Sequence, residues 1–480
     1  MAHGTFPKTD SFSFTKYGAT WIDFEWGTQL IWYVVNLIGG LWGLWALKFI
    51  LVGAAFWPVD GLLREQGASD LARAAAFPLW LMAMLAQTDL RADLISAMFF
   101  AVMLRRLERG RASFLFGFGF FALWANLHAG FILAFGLYVL AAAAAKVEER
   151  EIPPGLAAEA TGAVLGTLIN PYGARIYSVL LAHTSDPALR SVMEWKSPSS
   201  HNAFQAPLLA SILVVLGLMW FGVQRASRFL LLAAFGTLMA SVFSARFGIY
   251  FAAAGTMFAF SAFPKPRAAF VAVGLAAATA LIYPIRVRFG HRPFSELYVS
   301  RPAVDFIAQE QGALGGLRLF NQYEWGGYLG WRLGPNSQVF GDGRYLFAGQ
   351  LPEINEALTS AESVADFAAR YRLDGFLIRN LSTMFPSTRA YPDGTTKSFD
   401  RPWYVTYLPR DRWVLVFWNA DALVFVDRAK VPPAWLAAHE YRWLRPRDQA
   451  AREDAQKRGE IPAAAFAAEQ ARHTAELSLQ

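Results

Sequence analysis

Two carboxylates are the residues of this sequence best suited to acid–base chemistry. Asp23 and Glu25 stand two positions apart and are framed by Trp21 and Trp26. Like charges held together in apolar surroundings raise the pKa of one carboxyl group, which makes it a base near neutral pH. The pair could instead share a divalent cation, or act as solvated loop charges and helix caps. We predict Asp23 and Glu25 as the candidate catalytic residues.

Further polar residues occur at the ends of apolar runs that face the same side as this pair. Ionisable groups near a membrane are costly unless they pair or line a wet cavity, so their clustering on one side predicts a site there. His128 also fits a structural histidine, and Asn170, which precedes Pro171, also fits a helix stop. The candidate substrate-binding residues are Asp89, Arg91, Asn126, His128, Asn170, Arg175, Lys196 and Arg246.

The composition indicates that lipid solvates part of the chain. Of its 480 residues, 55% are hydrophobic and only 17% are charged, whereas soluble domains hold about 25% charged residues. No cysteine is present, which excludes disulfides and thiolate chemistry. The net charge of +7 lies chiefly in short loops between apolar runs, so it indicates topology and not nucleic-acid binding.

The apolar runs between residues 40 and 284 predict an α-helical membrane domain. A bilayer needs roughly 17–25 apolar residues per helix, and the runs give about ten spanning helices. The runs around 92–105 and 113–126 are short enough to form a buried hairpin instead. The predicted spans are 40–57, 72–88, 92–105, 113–126, 129–146, 155–170, 206–223, 228–244, 247–263 and 268–284.

Basic residues alternate between successive loops and so predict the orientation of the helices. Lys and Arg in short loops are retained in the cytoplasm, which places the loops richest in them on that side. An even number of helices then puts both ends of the chain outside the cytoplasm. No basic and apolar leader is visible in residues 1–39, so we expect a further helix upstream of Met1. The loops predicted to be cytoplasmic carry Arg64; Arg105, Arg106, Arg109 and Arg111; Lys146 and Arg150; Arg225 and Arg228; and Lys265 and Arg267.

The sequence divides into four predicted parts. Residues 1–39 form a first extracytoplasmic loop with an interfacial helix, and residues 40–284 form the membrane domain. Residues 285–430 alternate helical and strand-like patterns, which predicts an extracytoplasmic α/β domain. Residues 431–480 predict a helical or disordered tail.

Several elements of the predicted α/β domain can be assigned locally. Apolar and aromatic runs predict strands at Gln338–Phe340, Trp403–Leu408, Trp413–Trp418 and Ala422–Val426, and the last two form a hairpin around a short turn. The Gly341–Arg344 segment lacks phosphate-loop spacing, so we predict a tight turn in which Asp342 pairs with Arg344.

The order of these motifs resembles a bacterial group of polytopic proteins in the GT-C glycosyltransferase superfamily. The similarity covers about residues 4–430 and lies in motifs of both the membrane part and the later part of the chain. Members of the group usually begin with a further transmembrane helix and an acidic, Trp-rich motif, and this chain starts after both. The matching segments are Phe6–Thr15, Trp21–Trp26, Trp124–Gly130, Asn170–Gly173, Glu194–Pro198, Phe320–Tyr328 and Phe340–Arg344.

The resemblance implies a multi-pass protein of the bacterial cytoplasmic membrane that uses a polyprenyl-phosphate-linked sugar. An acidic residue of the first outer loop, here Asp23 or Glu25, would deprotonate an acceptor hydroxyl or help to hold a divalent cation. Arg91, Arg175, Lys196 or Arg246 would bind the phosphate. The acceptor, a glycan, lipid or protein, stays open. A transporter of lipid-linked intermediates and a noncatalytic cell-envelope assembly or binding protein are the alternative functions.

Overall fold

The computed structural model describes most of the chain. The described residues are 6, 8–185, 187–188, 192–202, 204–222, 227–262, 274, 277–278, 281–282 and 299–478. Most of the predicted span 268–284 lies outside the described residues. So do Arg225, Lys265 and Arg267, and the beginning of the predicted α/β domain.

The chain forms two compact units. The helical unit comprises Met1–Pro7 and Ile22–Phe294, and the mixed unit comprises Lys8–Trp21 and Ser295–Gln480. The residues that the sequence assigns to one outer loop are therefore shared between the two units. Asp23 and Glu25 belong to the helical unit.

Apolar helices joined by short polar turns make up the helical unit. Ser69 begins one of them as an N-cap, because its hydroxyl accepts a hydrogen bond from the backbone N–H of Ala72 at 3.2 Å. In chain order the helices are α1 (Trp26–Glu65), α2 (Asp70–Met84), α3 (Asp93–Glu108), α4 (Phe114–Leu127), α5 (Phe131–Val147), α6 (Leu156–Thr167), α7 (Ile176–Ser185), α8 (Ala206–Gly222), α9 (Arg228–Phe243) and α10 (Gly248–Ala262).

Helix α1 bends sharply at Gly40. This glycine has φ 56° and ψ −152°, a conformation outside the helical region that residues with a Cβ rarely adopt. A Cβ on Gly43 would lie 3.0 Å from the carbonyl oxygen of Val35, so the segments on either side of the bend approach closely. The bend falls between the predicted interfacial helix and the first predicted span.

Helix α1 is the described helix that is long and apolar enough to cross a membrane. Four shorter apolar helices, of 10–17 residues, are Phe114–Leu127, Phe131–Val147, Ala206–Phe221 and Arg228–Phe243. The protein is therefore mostly helical with a small sheet region toward the C-terminus, and the prediction of about ten spanning helices stays a prediction.

Helix α3 lies at the centre of the helical unit and positions the polar residues discussed below. It packs against α1, α5 and α10, and its buried apolar residues include Leu94, Phe100 and Leu104. Helices α4 and α6 cross very closely, since a Cβ on Gly166 would lie 2.2 Å from the carbonyl oxygen of Phe118. Small residues at such crossings let two helix backbones approach each other.

The mixed unit is built on a four-stranded sheet with the strand order β1-β2-β6-β5. Strands β1 (Leu319–Asn321) and β2 (Gly375–Arg379) are parallel, and β6 (Ala422–Asp427) is antiparallel to both β2 and β5 (Trp413–Trp418). Strands β3 (Met384–Ala390) and β4 (Thr396–Pro402) form a separate hairpin.

Helices flank both sheets of this unit. The predicted tail from residue 431 contains three of them, and Leu436, Tyr441 and His473 of that tail are buried. The helices are α11 (Arg301–Gln309), α12 (Gln311–Leu314), α13 (Gly326–Leu333), α14 (Leu351–Ala357), α15 (Ala361–Tyr371), α16 (Trp403–Tyr407), α17 (Pro433–His439), α18 (Gln449–Lys457) and α19 (Ala463–Ser478).

Two strand predictions are wrong and two local predictions are confirmed. The predicted strand Trp403–Leu408 is instead helix α16 (Trp403–Tyr407), in which the rings of Trp403 and Tyr407, one helical turn apart, lie 5.9 Å from each other. Gln338–Phe340 forms one isolated bridge, between Val339 and Ser13, and not a strand. The β5–β6 hairpin is confirmed. So is the pairing of Asp342 with Arg344, whose Nε donates to the carboxylate at 2.8 and 2.9 Å.

Candidate functional site

Six charged or ionisable side chains meet within the helical unit. We call them the polar cluster: Glu25, Arg91, Asp93, His128, Glu194 and Arg246. Each stands at the end of a helix or in the adjoining turn. Glu25 precedes α1, Asp93 begins α3, and His128 follows α4. The close packing of α3 on α1 and α10 brings these ends together.

His128 is held in one orientation by a chain of hydrogen bonds. The indole Nε1 of Trp124 donates to Ser96 Oγ at 2.8 Å, and Ser96 Oγ lies 2.6 Å from His128 Nδ1. The backbone N–H of Gly130 also donates to Nδ1, at 3.1 Å. Since a backbone N–H can only donate, Nδ1 acts as an acceptor. The ring proton must then be on Nε2.

The Nε2 atom of His128 faces two carboxylates. It lies 3.3 Å from Asp93 Oδ1 and 3.6 Å from Glu25 Oε1. An N–H at this position stabilises negative charge on either group. The imidazole therefore links Glu25 to the buried end of α3.

The guanidinium groups of Arg91 and Arg246 form ion pairs with the carboxylates of Asp93 and Glu194. Arg246 contacts Asp93 Oδ2 at 3.1 Å and Glu194 Oε1 at 2.6 Å, while Arg91 pairs with Glu194 from the other side. Burial alone would raise the pKa of Glu194, but Arg246 and Arg91 outweigh that effect and lower it. Arg91 is the most exposed of these four groups, at 43%, and so is the cation best placed to meet a ligand.

Glu25 is the predicted site carboxylate whose environment is strongly perturbed. Removal from water, with the nearby Asp93 carboxylate as the second cause, raises the pKa of Glu25 from 4.5 to about 7. Arg246 and Arg91 offset only part of that rise. The Glu25 side chain is still 31% exposed, so a ligand can reach it. This carboxyl group can exchange a proton near neutral pH, as a general base must.

Asp23 differs from Glu25 because neighbouring groups donate hydrogen bonds to its carboxylate. One carboxylate oxygen accepts from Gln29 Nε2 at 2.9 Å and from the backbone N–H of Glu25 at 3.3 Å. Only 3% of Asp23 is exposed. Hydrogen bonds to the loop backbone fix the position of Glu25, so Asp23 acts on the site through its neighbour.

The other predicted binding residues have local structural contacts. Asn126 accepts from Trp26 Nε1 at 3.1 Å and donates to the carbonyl of Ile169, while Asn170 caps its own turn. Arg175 and Lys196 are exposed, and Asp89 lies half-buried in the turn before α3. Of the predicted residues, the structure brings Glu25, Arg91, His128 and Arg246 into the polar cluster, with Asp23 beside it.

Sequence reasoning did not assign Asp93, Ser96, Trp124 or Glu194 to the site, although Trp124 and Glu194 begin two of the matching segments. Ser96 follows Asp93 by three positions, which places both side chains on one face of α3. That spacing was the visible signal. Within the described ranges, no group of three or more His, Asp or Glu side chains is arranged to hold a metal ion. The divalent cation therefore stays a prediction.

Comparison with known proteins gives no assignment. No protein-family model matches the chain, and no curated protein matches it. The function must therefore be argued from the geometry: a partly exposed carboxyl group that titrates near neutral pH, an imidazole N–H that faces it, and two guanidinium groups nearby.

Proposed function

We propose that this protein is a membrane glycosyltransferase that transfers a sugar from a polyprenyl-phosphate donor to an extracytoplasmic acceptor. The observation that carries the proposal is Glu25, whose pKa of about 7 and partial exposure suit a general base. The polar cluster would occupy the extracytoplasmic ends of about ten spanning helices of GT-C type. The protein would reside in the bacterial cytoplasmic membrane, with the mixed unit outside the cell interior.

The surface of the helical unit supports a membrane location. Large apolar side chains are exposed on several helices, including Leu37 at 72%, Val139 at 68%, Leu213 at 70% and Phe243 at 76%. Water-soluble proteins rarely expose apolar residues over so many elements, whereas lipid solvates them without cost.

The acid–base step would centre on Glu25. Its carboxylate would accept the proton of the acceptor hydroxyl as that oxygen attacks the anomeric carbon of the sugar. The bond between the sugar and the phosphate would break at the same time, and the electron pair would leave with the lipid phosphate. His128 would orient Glu25 through its Nε2 proton.

The phosphate of the donor would be bound by Arg91 and Arg246. In the structure both guanidinium groups contact Glu194, so an incoming phosphate would compete with that carboxylate for Arg91. Arg can bind a phosphate through two parallel hydrogen bonds, which also orients it. The lipid chain would lie between the apolar helices while its phosphate remains at the polar cluster.

A transfer assay with membranes tests the proposed reaction. Membranes of bacteria that express the chain are given polyprenyl phosphates that carry radiolabelled hexoses or pentoses. We expect polyprenyl phosphate to be released, and Glu25→Gln to slow the release by about 100-fold or more. Glu65→Gln, at the other end of α1, is the matched control and should not slow it.

Two results of this assay would overturn the proposal. Movement of the intact donor across the membrane would show a transporter. If no donor of the panel is cleaved or moved, the result favours a noncatalytic envelope protein.

The proposed orientation can be tested with single cysteines, because the chain contains none. Arg175→Cys and Lys196→Cys are exposed positions near the polar cluster's end of the helices, and Arg150→Cys is an exposed position at the other end. We expect a membrane-impermeant maleimide to label the first two in intact cells and the third only after the membrane is opened. The reverse pattern would contradict the orientation.

A further inference from the structure

One arginine of the mixed unit is buried and forms no direct ion pair with the described residues. Arg445 lies between α17 and α18 and is only 8% exposed. Within the part of the chain that the structure describes, its side chain has no hydrogen-bond or ion-pair partner, and Nε is fully removed from solvent. A buried charge that lacks both is strongly unfavourable.

The surroundings of Arg445 carry further positive charge. Burial lowers the pKa of the Arg445 guanidinium, and the like charges of Arg410 and Arg401 lower it further, while Tyr404 and Asp448 raise it. Asp448 is shared with Arg401, whose guanidinium donates to both of its oxygens, at 2.9 and 2.6 Å. The tyrosine hydroxyl donates to the carbonyl of Pro446 at 2.5 Å.

A buried glutamate holds the backbone that precedes Arg445. Glu469 accepts from the backbone N–H groups of Arg442, Trp443 and Leu444, at 3.0, 2.9 and 2.7 Å. These bonds tie the segment before Arg445 to helix α19. The backbone at this point is therefore held in place and cannot easily shift to carry the Arg445 side chain into solvent.

We propose that Arg445 is the centre of a binding site for a phosphate group, with Arg410 as the second cation. A phosphate supplies the counter-ion that the buried guanidinium needs, and its oxygens match the parallel N–H groups of arginine. Arg410 is exposed to solvent and supplies a second positive charge that acts on Arg445. The proposal is independent of the polar cluster and of the transferase activity.

The phosphate group could belong to a free anion or to a lipid headgroup, and two arms of one experiment distinguish them. The full chain is purified in detergent without phosphate. In the first arm, thermal unfolding is followed while inorganic phosphate or pyrophosphate replaces sodium chloride at constant ionic strength. In the second arm, binding to vesicles of phosphatidylglycerol is compared with binding to vesicles of phosphatidylcholine.

Arg445→Met keeps the apolar stem and removes the charge. In the unchanged protein we expect either a phosphate-dependent rise of the melting temperature or selective binding to phosphatidylglycerol vesicles. In the variant, the affinity for that same ligand should be at least about tenfold weaker. Without phosphate, the variant should melt at the same or a higher temperature, since an unpaired buried charge has been removed. That result also shows that the variant folds.

Arg452→Met is the matched control. Arg452 also has a buried Nε without a partner, but its guanidinium lies over the ring of Phe466 at 5.3 Å. The control should respond to phosphate or lipid as the unchanged protein does. An equal response of Arg445→Met, or no response of the unchanged protein in either arm, would overturn the proposal.

Discussion

Two glutamates of the helical unit show how similar side chains are used for different purposes. Glu159 is completely buried and accepts from Arg106 at 2.8–3.2 Å, from the backbone N–H of Ser113 at 2.6 Å and from the hydroxyl of Tyr138 at 3.3 Å. Glu25 is partly exposed, and its nearest cationic or imidazole nitrogen, Nε2 of His128, is 3.6 Å away.

The difference separates a structural carboxylate from a reactive one. The oxygens of Glu159 accept hydrogen bonds from a guanidinium, a backbone N–H and a hydroxyl, which makes this glutamate a structural carboxylate. Desolvation without such bonds instead raises the pKa of Glu25 to about 7. We expect Glu159→Gln to lower stability, and Glu25→Gln to abolish most of the activity while raising stability at neutral pH.

The largest expected effect is that of Glu159→Gln on stability. The amide removes the negative charge and leaves Arg106, whose side chain is 18% exposed, without its partner. Loss of one member of a buried ion pair costs about 3–5 kcal/mol. Chemical or thermal unfolding of the purified protein in detergent measures this loss.

A surface ion pair provides the control for Glu159→Gln. Glu65 pairs with Arg105 and Arg109 and is 28% exposed, so Glu65→Gln should cost no more than about 1 kcal/mol. Equal losses in the two variants would contradict the distinction between buried and surface pairs.

A smaller effect is expected for Ser96→Ala. The change leaves Trp124 Nε1 without an acceptor and takes one donor from His128 Nδ1, which should cost about 1–3 kcal/mol. Ser241→Ala is the control, since this buried serine only donates to the carbonyl of Thr237 in its own helix. If both variants lose the same stability, the hydrogen-bond chain to His128 does not hold the site.

A change in stability of the opposite sign is expected for Glu25→Gln. Because its folded-state pKa is raised, Glu25 favours folding below about pH 4.5 and loses that contribution as the pH rises through about 7. The glutamine variant should therefore gain stability relative to the unchanged protein between pH 5 and pH 8. Melting temperatures at both pH values measure the gain, and a relative loss at pH 8 would argue against a desolvated Glu25.

Part of the site was predictable because charges interrupt apolar runs. Glu25, Arg91, His128 and Arg246 each stand at the end of such a run, so the sequence assigns them to one side of the helices. Which carboxylate pairs with which arginine depends on the helices that lie next to α3, and no local pattern encodes that neighbourhood.

Elements of the fold were predictable where a local sequence pattern determines them, and not where contacts with distant segments do. The β5–β6 hairpin follows from two apolar strands around a short turn. Trp403–Leu408 has the composition of a strand but forms a helix, since tertiary packing of Trp403 and Tyr404 overrides propensity. The satisfied state of Glu159 could not be predicted either, because its donors come from three other segments of the chain.

The pH dependence of donor cleavage tests the role of Glu25 most directly. Release of polyprenyl phosphate is measured from pH 5.5 to 8.5 with the unchanged protein and with Glu25→Gln. We predict that the rate in the unchanged protein rises with an apparent pKa of about 7, as Glu25 loses its proton, and that the variant is slow at every pH. Equal rates in the two proteins, or an unchanged profile in the variant, would contradict the assignment of Glu25 as the base.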